Sequence, residues 1–159
     1  EAVSRLEAAA DLDASEPHTL FNLAIAYQAS GKLDQSIALL EKLVAQKPAN
    51  QDAIERSLAV VYEDKADLLS NQIGIQAEDP ATPEGSEGDK LTPAQQLENR
   101  NQAIAYYRKA LEIYERLPNV PGKGADEDPK ALPNHINYLK ERIAKLENPA
   151  LANDHPTFN

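Results

Sequence analysis

Cysteine is absent from the 159 residues, which excludes a disulfide framework, a thiolate zinc site and a cysteine nucleophile; a chain without thiols suits a reducing or an oxidising compartment equally. Cations are scarce, with 16 Lys+Arg against 26 Asp+Glu and a formal charge of −10. Phosphate recognition needs clustered cations, so nucleic acid is not the expected partner. Long apolar runs are missing too. The longest, such as Leu23 to Tyr27 and Leu58 to Tyr62, hold five residues each, far short of the roughly 20 that span a bilayer. This segment is not expected to insert into a membrane. Neither a methionine nor a signal-like stretch opens the chain at Glu1. The expectation is therefore a piece of a larger protein, with targeting information and compartment unknown.

What is present is helical periodicity. Ala, Leu, Glu, Lys and Gln dominate, and apolar residues recur at intervals of three and four, the signature of helices with one buried face. Ala2, Leu6, Ala9 and Leu12 form a first stripe, and Ser15-Glu16-Pro17 separates it from Leu20, Leu23, Ala24 and Tyr27. Gly31 is a natural terminator, after which Leu33, Ile37, Leu40 and Leu43 form a third stripe that runs out before Pro48. Asn50 is placed to cap a helix from Gln51 to about Gln76, with Ile54, Leu58, Val61 and Leu68 or Leu69 inward. Residues 78–90 are mostly Pro, Gly, Ser, Thr and acid, with Lys90 as the only base, and read as a solvated loop. Thr92-Pro93-Ala94-Gln95 combines a capping hydroxyl, a proline at the first helical position and a glutamine three residues after the cap. That helix is predicted to reach Leu117 and to bury Leu97, Ile104, Tyr107, Ala110, Leu111 and Tyr114. A last helix opens at Asp128-Pro129 or Leu132-Pro133, with Ile136, Leu139, Ile143 and Leu146 on one face.

A shift of 34 residues aligns Leu6 with Leu40, Glu7 with Glu41, Ala9 with Leu43, Leu20 with Ile54, Ala24 with Leu58 and Tyr27 with Val61. In this respect the chain resembles a tetratricopeptide repeat, whose 34-residue unit is a pair of antiparallel helices, A and B. Leu20, Leu23, Ala24, Tyr27, Gly31, Ser36, Leu40, Leu43 and Pro48 occupy the signature positions of one unit, with Leu20 in place of the usual Trp and Ser36 and Leu43 in place of alanines. The resemblance implies an all-α solenoid of antiparallel helix hairpins over residues 1–147. Residues 1–16 would be the B helix of a truncated repeat, 17–50 a full repeat, 51–118 a repeat with an insertion, 129–147 a capping helix and 148–159 a tail. In the second unit the small residue expected at Ser70 comes at Ala103, 33 residues later, so that hairpin is expected to be elongated and to project.

The resemblance also implies a site. In this family the A helices line a concave groove that holds a segment of a partner. Carried over position by position, the groove comprises His18, Phe21, Asn22, Ile25, Gln28 and Ala29 from the first unit and Asp52, Glu55, Arg56, Ala59, Tyr62 and Glu63 from the second. Phe21, Ile25 and Tyr62 would supply apolar anchors, Asn22 and Gln28 backbone hydrogen bonds, and Asp52, Glu55 and Glu63 a preference for a basic ligand. Only Asn22 and Arg56 suit a carboxylate, so an acidic tail is disfavoured. Tyr62→Ala and Glu55→Lys are then expected to weaken binding while leaving helicity intact.

Chemistry beyond binding finds no constellation. His18, His135 and His155 have no metal-site spacing. Asp11 to Ser15 begins like a calcium loop, but Glu16 and Asn22 stand where glycine and the bidentate glutamate belong. Neither Gly31-Lys32 nor Gly122-Lys123-Gly124 forms a phosphate loop. Helical carboxylate pairs such as Asp52 and Glu55 meet no nucleophile or ligand set. The reading is a scaffold without catalytic function or cofactor, binding a protein or peptide. The alternatives are a homo-oligomeric module assembled through the repeat ends and the elongated hairpin, or the docking domain of an enzyme.

Overall fold

A computed structural model describes residues 3–5, 7–8, 16–74, 91–117 and 131–148. All secondary structure among them is helical: α1, of which residues 3–5 and 7–8 are described, α2 (Pro17–Ala29), α3 (Leu33–Ala45), α4 (Gln51–Gly74), α5 (Pro93–Arg116) and α6 (Ala131–Glu147). The expected loop at 78–90, the acidic turn before α6 and the tail after Asn148 lie outside the described residues.

Local chemistry sets the helix ends. The Glu16 carboxylate accepts the backbone N–H groups of His18 and Thr19, with Pro17 beginning α2. Its C-terminus closes as a Schellman motif, Lys32 N–H to Tyr27 O at 2.9 Å and Gly31 N–H to Gln28 O at 3.0 Å, which requires the left-handed φ of +72° that Gly31 supplies. At the end of α3 the same role falls to Lys47 at φ +50°. The Thr92 capping box forms as its sequence predicts, with Thr92 Oγ1 accepting from Gln95 N at 3.3 Å and Gln95 Oε1 accepting from Thr92 N at 2.8 Å. The helix α6 begins at Ala131, between the two starts expected for it. Pro133 therefore falls in the first turn, where its missing N–H has no intrahelical partner to lose.

Each helix packs on the next in sequence: α2 on α3, α3 on α4, α4 on α5 and α5 on α6. The inward residues are those of the apolar stripes, among them Leu20, Leu23, Ala24, Leu40, Leu43, Ile54, Leu58 and Val61. Helices α2 and α3 meet at small residues, where Ser36 Oγ donates to the Ala24 carbonyl at 2.7 Å and both residues are fully buried. The hydroxyl thus has a partner at a position where alanine is usual. In the second hairpin Ala103, Tyr107 and Ala110 of α5 are fully buried. Its two helices have 24 residues each, about 36 Å at 1.5 Å per residue against about 20 Å for the 13-residue α2 and α3.

Of the two leucines offered for the end of the α4 stripe, Leu69 faces inward, at 7% exposure against 45% for Leu68. One expectation about the core needs correction. Leu97, expected in the core, is 53% exposed. Glu147, at the end of α6, pairs with Arg108, and Leu97 lies eleven residues before Arg108 on α5, about 16 Å further along its axis. Helix α4 does run beside this end of α5, Asn99 Nδ2 donating to Gln72 Oε1 at 3.0 Å, but Leu97 stays open to solvent, and α6 ends before it could cover it.

Candidate functional site

The groove residues fall into two groups. On α2, Asn22 and Ile25 are exposed and Phe21 is partly buried against the core. His18 and Ala29, at the ends of the same helix, are exposed. Gln28 is tied down, its Nε2 donating to Asp64 Oδ2 at 2.8 Å and so bridging α2 to α4. The α2 face therefore presents an apolar residue every turn, with one exposed amide beside them.

On α4 the expected groove residues mostly face the protein. Asp52 is exposed, but Ala59 is fully buried and Glu55, Tyr62 and Glu63 are buried too. Glu55 accepts from Gln51 Nε2 at 2.7 Å and pairs with Arg116 Nη1 of α5 at 2.7 Å. Glu63 accepts from His135 Nε2 of α6 at 2.8 Å. Tyr62 turns the other way. Its hydroxyl donates to Glu41 of α3 at 2.5 Å, and its ring lies 5.8 Å from that of Tyr106 and beneath Lys109 Nζ at 4.9 Å. Arg56 is partly buried, and its Nε is buried with no hydrogen-bond partner among the described residues. Of the three acids expected to attract a basic ligand, two are already engaged by the protein's own side chains.

The sequence reading missed the bonds that hold successive units together. Tyr27 of α2 donates to Glu7 of α1 at 2.8 Å, as Tyr62 of α4 does to Glu41 of α3. Both tyrosine rings sit beneath a lysine, Lys32 and Lys109. The signal was present in the 34-residue shift, which aligns Glu7 with Glu41, although Tyr62 stands one place beyond the position that Tyr27 matches. A third tyrosine, Tyr107, donates to Asp67 at 2.5 Å and accepts from Arg142 of α6 at 3.2 Å. Burial foremost, then the bonded carboxylate, pushes both the Tyr62 and Tyr107 hydroxyls well above the usual phenol range. These groups act as fixed donors within the fold.

No group of three or more His, Asp or Glu with metal-site geometry occurs among the described residues, and no described helix is long and apolar enough to cross a membrane. Two family models described as Tetratricopeptide repeat match the chain, one over residues 1–59 and one over residues 94–116. No curated protein and no solved structure matches it.

Proposed function

Because the chain is a tetratricopeptide repeat protein, of a family whose repeats generally mediate protein–protein interactions, we propose that it is a non-catalytic scaffold that holds a partner segment against its A helices. The observation that carries this reading is the α2 face, where Ile25 is 36% exposed beside the exposed Asn22 and the half-covered Phe21. Apolar side chains at one-turn spacing with an amide between them suit a peptide that offers its own apolar residues and backbone. Asp52 and Arg56 belong to α4, which Gln28 ties to α2 through Asp64. Since Glu55 and Glu63 are paired within the protein, the basic character of the partner rests on Asp52, and apolar anchoring is the larger contribution.

The test is capture from source-cell extract with the chain and with its Ile25→Asp/Asn22→Ala variant, followed by affinity measurement with the purified partner. A protein that binds the first at least tenfold more tightly than the second supports the reading. Equal binding by both, with the variant folded, overturns it.

A second reading, self-assembly through the elongated hairpin, is favoured by Leu68, an apolar residue 45% exposed on α4. Sedimentation that depends on concentration, and that Leu68→Asp abolishes, would support it.

A further inference from the structure

Two hollows adjoin along the far half of α5, with volumes of about 520 and 450 Å³. Both are lined by Leu97, Asn101 and Ala105, and the second reaches Arg100, Ile104 and Leu146 of α6. They exist because α6 stops beside Arg108 while α5 runs on toward Pro93. The neighbouring charges are engaged, Arg108 by Glu147 and Glu98 by Gln102. Arg100 is partly buried and has no polar partner among the described residues. An apolar shelf with one unengaged cation thus begins where α6 ends.

The described residues end at this place, with Asn148. Asn148 N–H closes the last turn of α6 on the Ala144 carbonyl at 2.9 Å, and Pro149 has no N–H with which to extend the ladder. Leu151 follows three residues beyond Asn148, a reach of about 10 Å at about 3.3 Å per residue. From Ile104 to Leu97 is also about 10 Å along the helix axis. Asp154 is the only acid between 149 and 159, and Arg100 is its complement. We infer that the shelf is an intramolecular docking surface for the segment that follows Asn148, with Leu151 over Leu97 and, after a turn, Asp154 facing Arg100, three residues back along α5. It lies on α5, away from the α2 face, so the outcome of either proposal leaves the other standing.

The chain has no cysteine, so Ala152→Cys gives a single attachment point for a nitroxide. In isotope-labelled protein diluted with unlabelled, unmodified chain, the amides of residues 94–105 are expected to lose at least half their intensity. Leu97→Asp is expected to restore it; Leu97 is already half exposed, so this variant retains the fold, as helical circular dichroism would verify. Intensity loss confined to other helices, no loss, or a loss that Leu97→Asp leaves unchanged overturns the inference. Loss seen only when label and nitroxide are on different chains overturns it in favour of a second copy.

Discussion

Glu63 of α4 and His135 of α6 stand 72 residues apart in sequence, yet the carboxylate accepts the imidazole Nε2–H at 2.8 Å, with side chains only 4% and 14% exposed. The Tyr114 ring meets the imidazole edge-on at 5.3 Å, which fixes its orientation. Removing the imidazole leaves a buried acid without its partner, and such a group carries its full desolvation cost. His135→Ala is expected to lower stability by about 2–4 kcal/mol in urea denaturation. Glu63→Leu in the same background should recover part of that. A loss within about 0.5 kcal/mol, the range of surface changes, would mean that α6 docks through Leu132, Leu139 and Ile143 alone.

Gly31 and Lys47 close successive helices with the same left-handed backbone, at φ +72° and +50°. A Cβ at Gly31 meets nothing within 4 Å, so the cost of alanine there is backbone strain, about 1–2 kcal/mol. Lys47 already carries that strain. Lys47→Gly is expected to relieve it and, after the added freedom of the unfolded chain, to stabilise by about 0.5 kcal/mol. Thermal unfolding of Gly31→Ala and Lys47→Gly should shift in opposite directions; shifts of one sign would refute the argument.

These effects mark how far the sequence could be read. Stripes at 3.6 spacing identify Leu20, Leu40, Ile54 and Val61 as core, and they are buried, because periodicity reports directly which face is apolar. The Thr92 cap is legible for a similar reason, since all its atoms lie within four residues. Leu97 is different. Its stripe is as regular as the others, but the pattern carries no information on whether a neighbouring helix extends far enough to cover it. Glu55 and Glu63 are harder still. Their burial depends on Arg116 and His135 arriving from distant helices, and no local signal distinguishes such acids from solvated ones.

The hydroxyls of Tyr62 and Tyr107 give the fold an alkaline limit. Burial and the bonds to Glu41 and Asp67 raise both above the ordinary value of 10.0. A raised value in the fold means that the native state keeps its phenol protons where the unfolded chain has lost them. The stability this contributes is complete below pH 10 and is lost as pH climbs through the folded-state values. Ultraviolet titration is expected to show the Tyr62 and Tyr107 phenols ionising only as helical circular dichroism disappears. Tyr62→Phe and Tyr107→Phe should each remove one of the late steps. Ionisation of all six tyrosines before any helix is lost would overturn the assignment.

Ile25 and Tyr62 allow binding to be separated from folding. Ile25 is 36% exposed and Tyr62 5%, although both occupy groove positions in the repeat. Tyr62→Ala removes a ring packed against Tyr106 and Lys109 and leaves Glu41 without its phenolic donor, so it is expected to cost about 3–5 kcal/mol of stability, as for other large aromatic truncations. Glu55→Lys sets an ammonium against Arg116 in a buried site and should act in the same way. Ile25→Asp changes no internal contact of that kind. If the α2 face holds the partner, it should weaken affinity by about 10-fold or more, the effect of losing an interface anchor of about 1.4 kcal/mol, with the melting temperature unchanged. Tyr62→Ala should instead lower affinity only in proportion to the fraction unfolded, so that cooling restores it. Should Tyr62→Ala abolish binding at temperatures where it is fully folded while Ile25→Asp binds normally, the partner would be held along α4 and the α2 face would be ruled out.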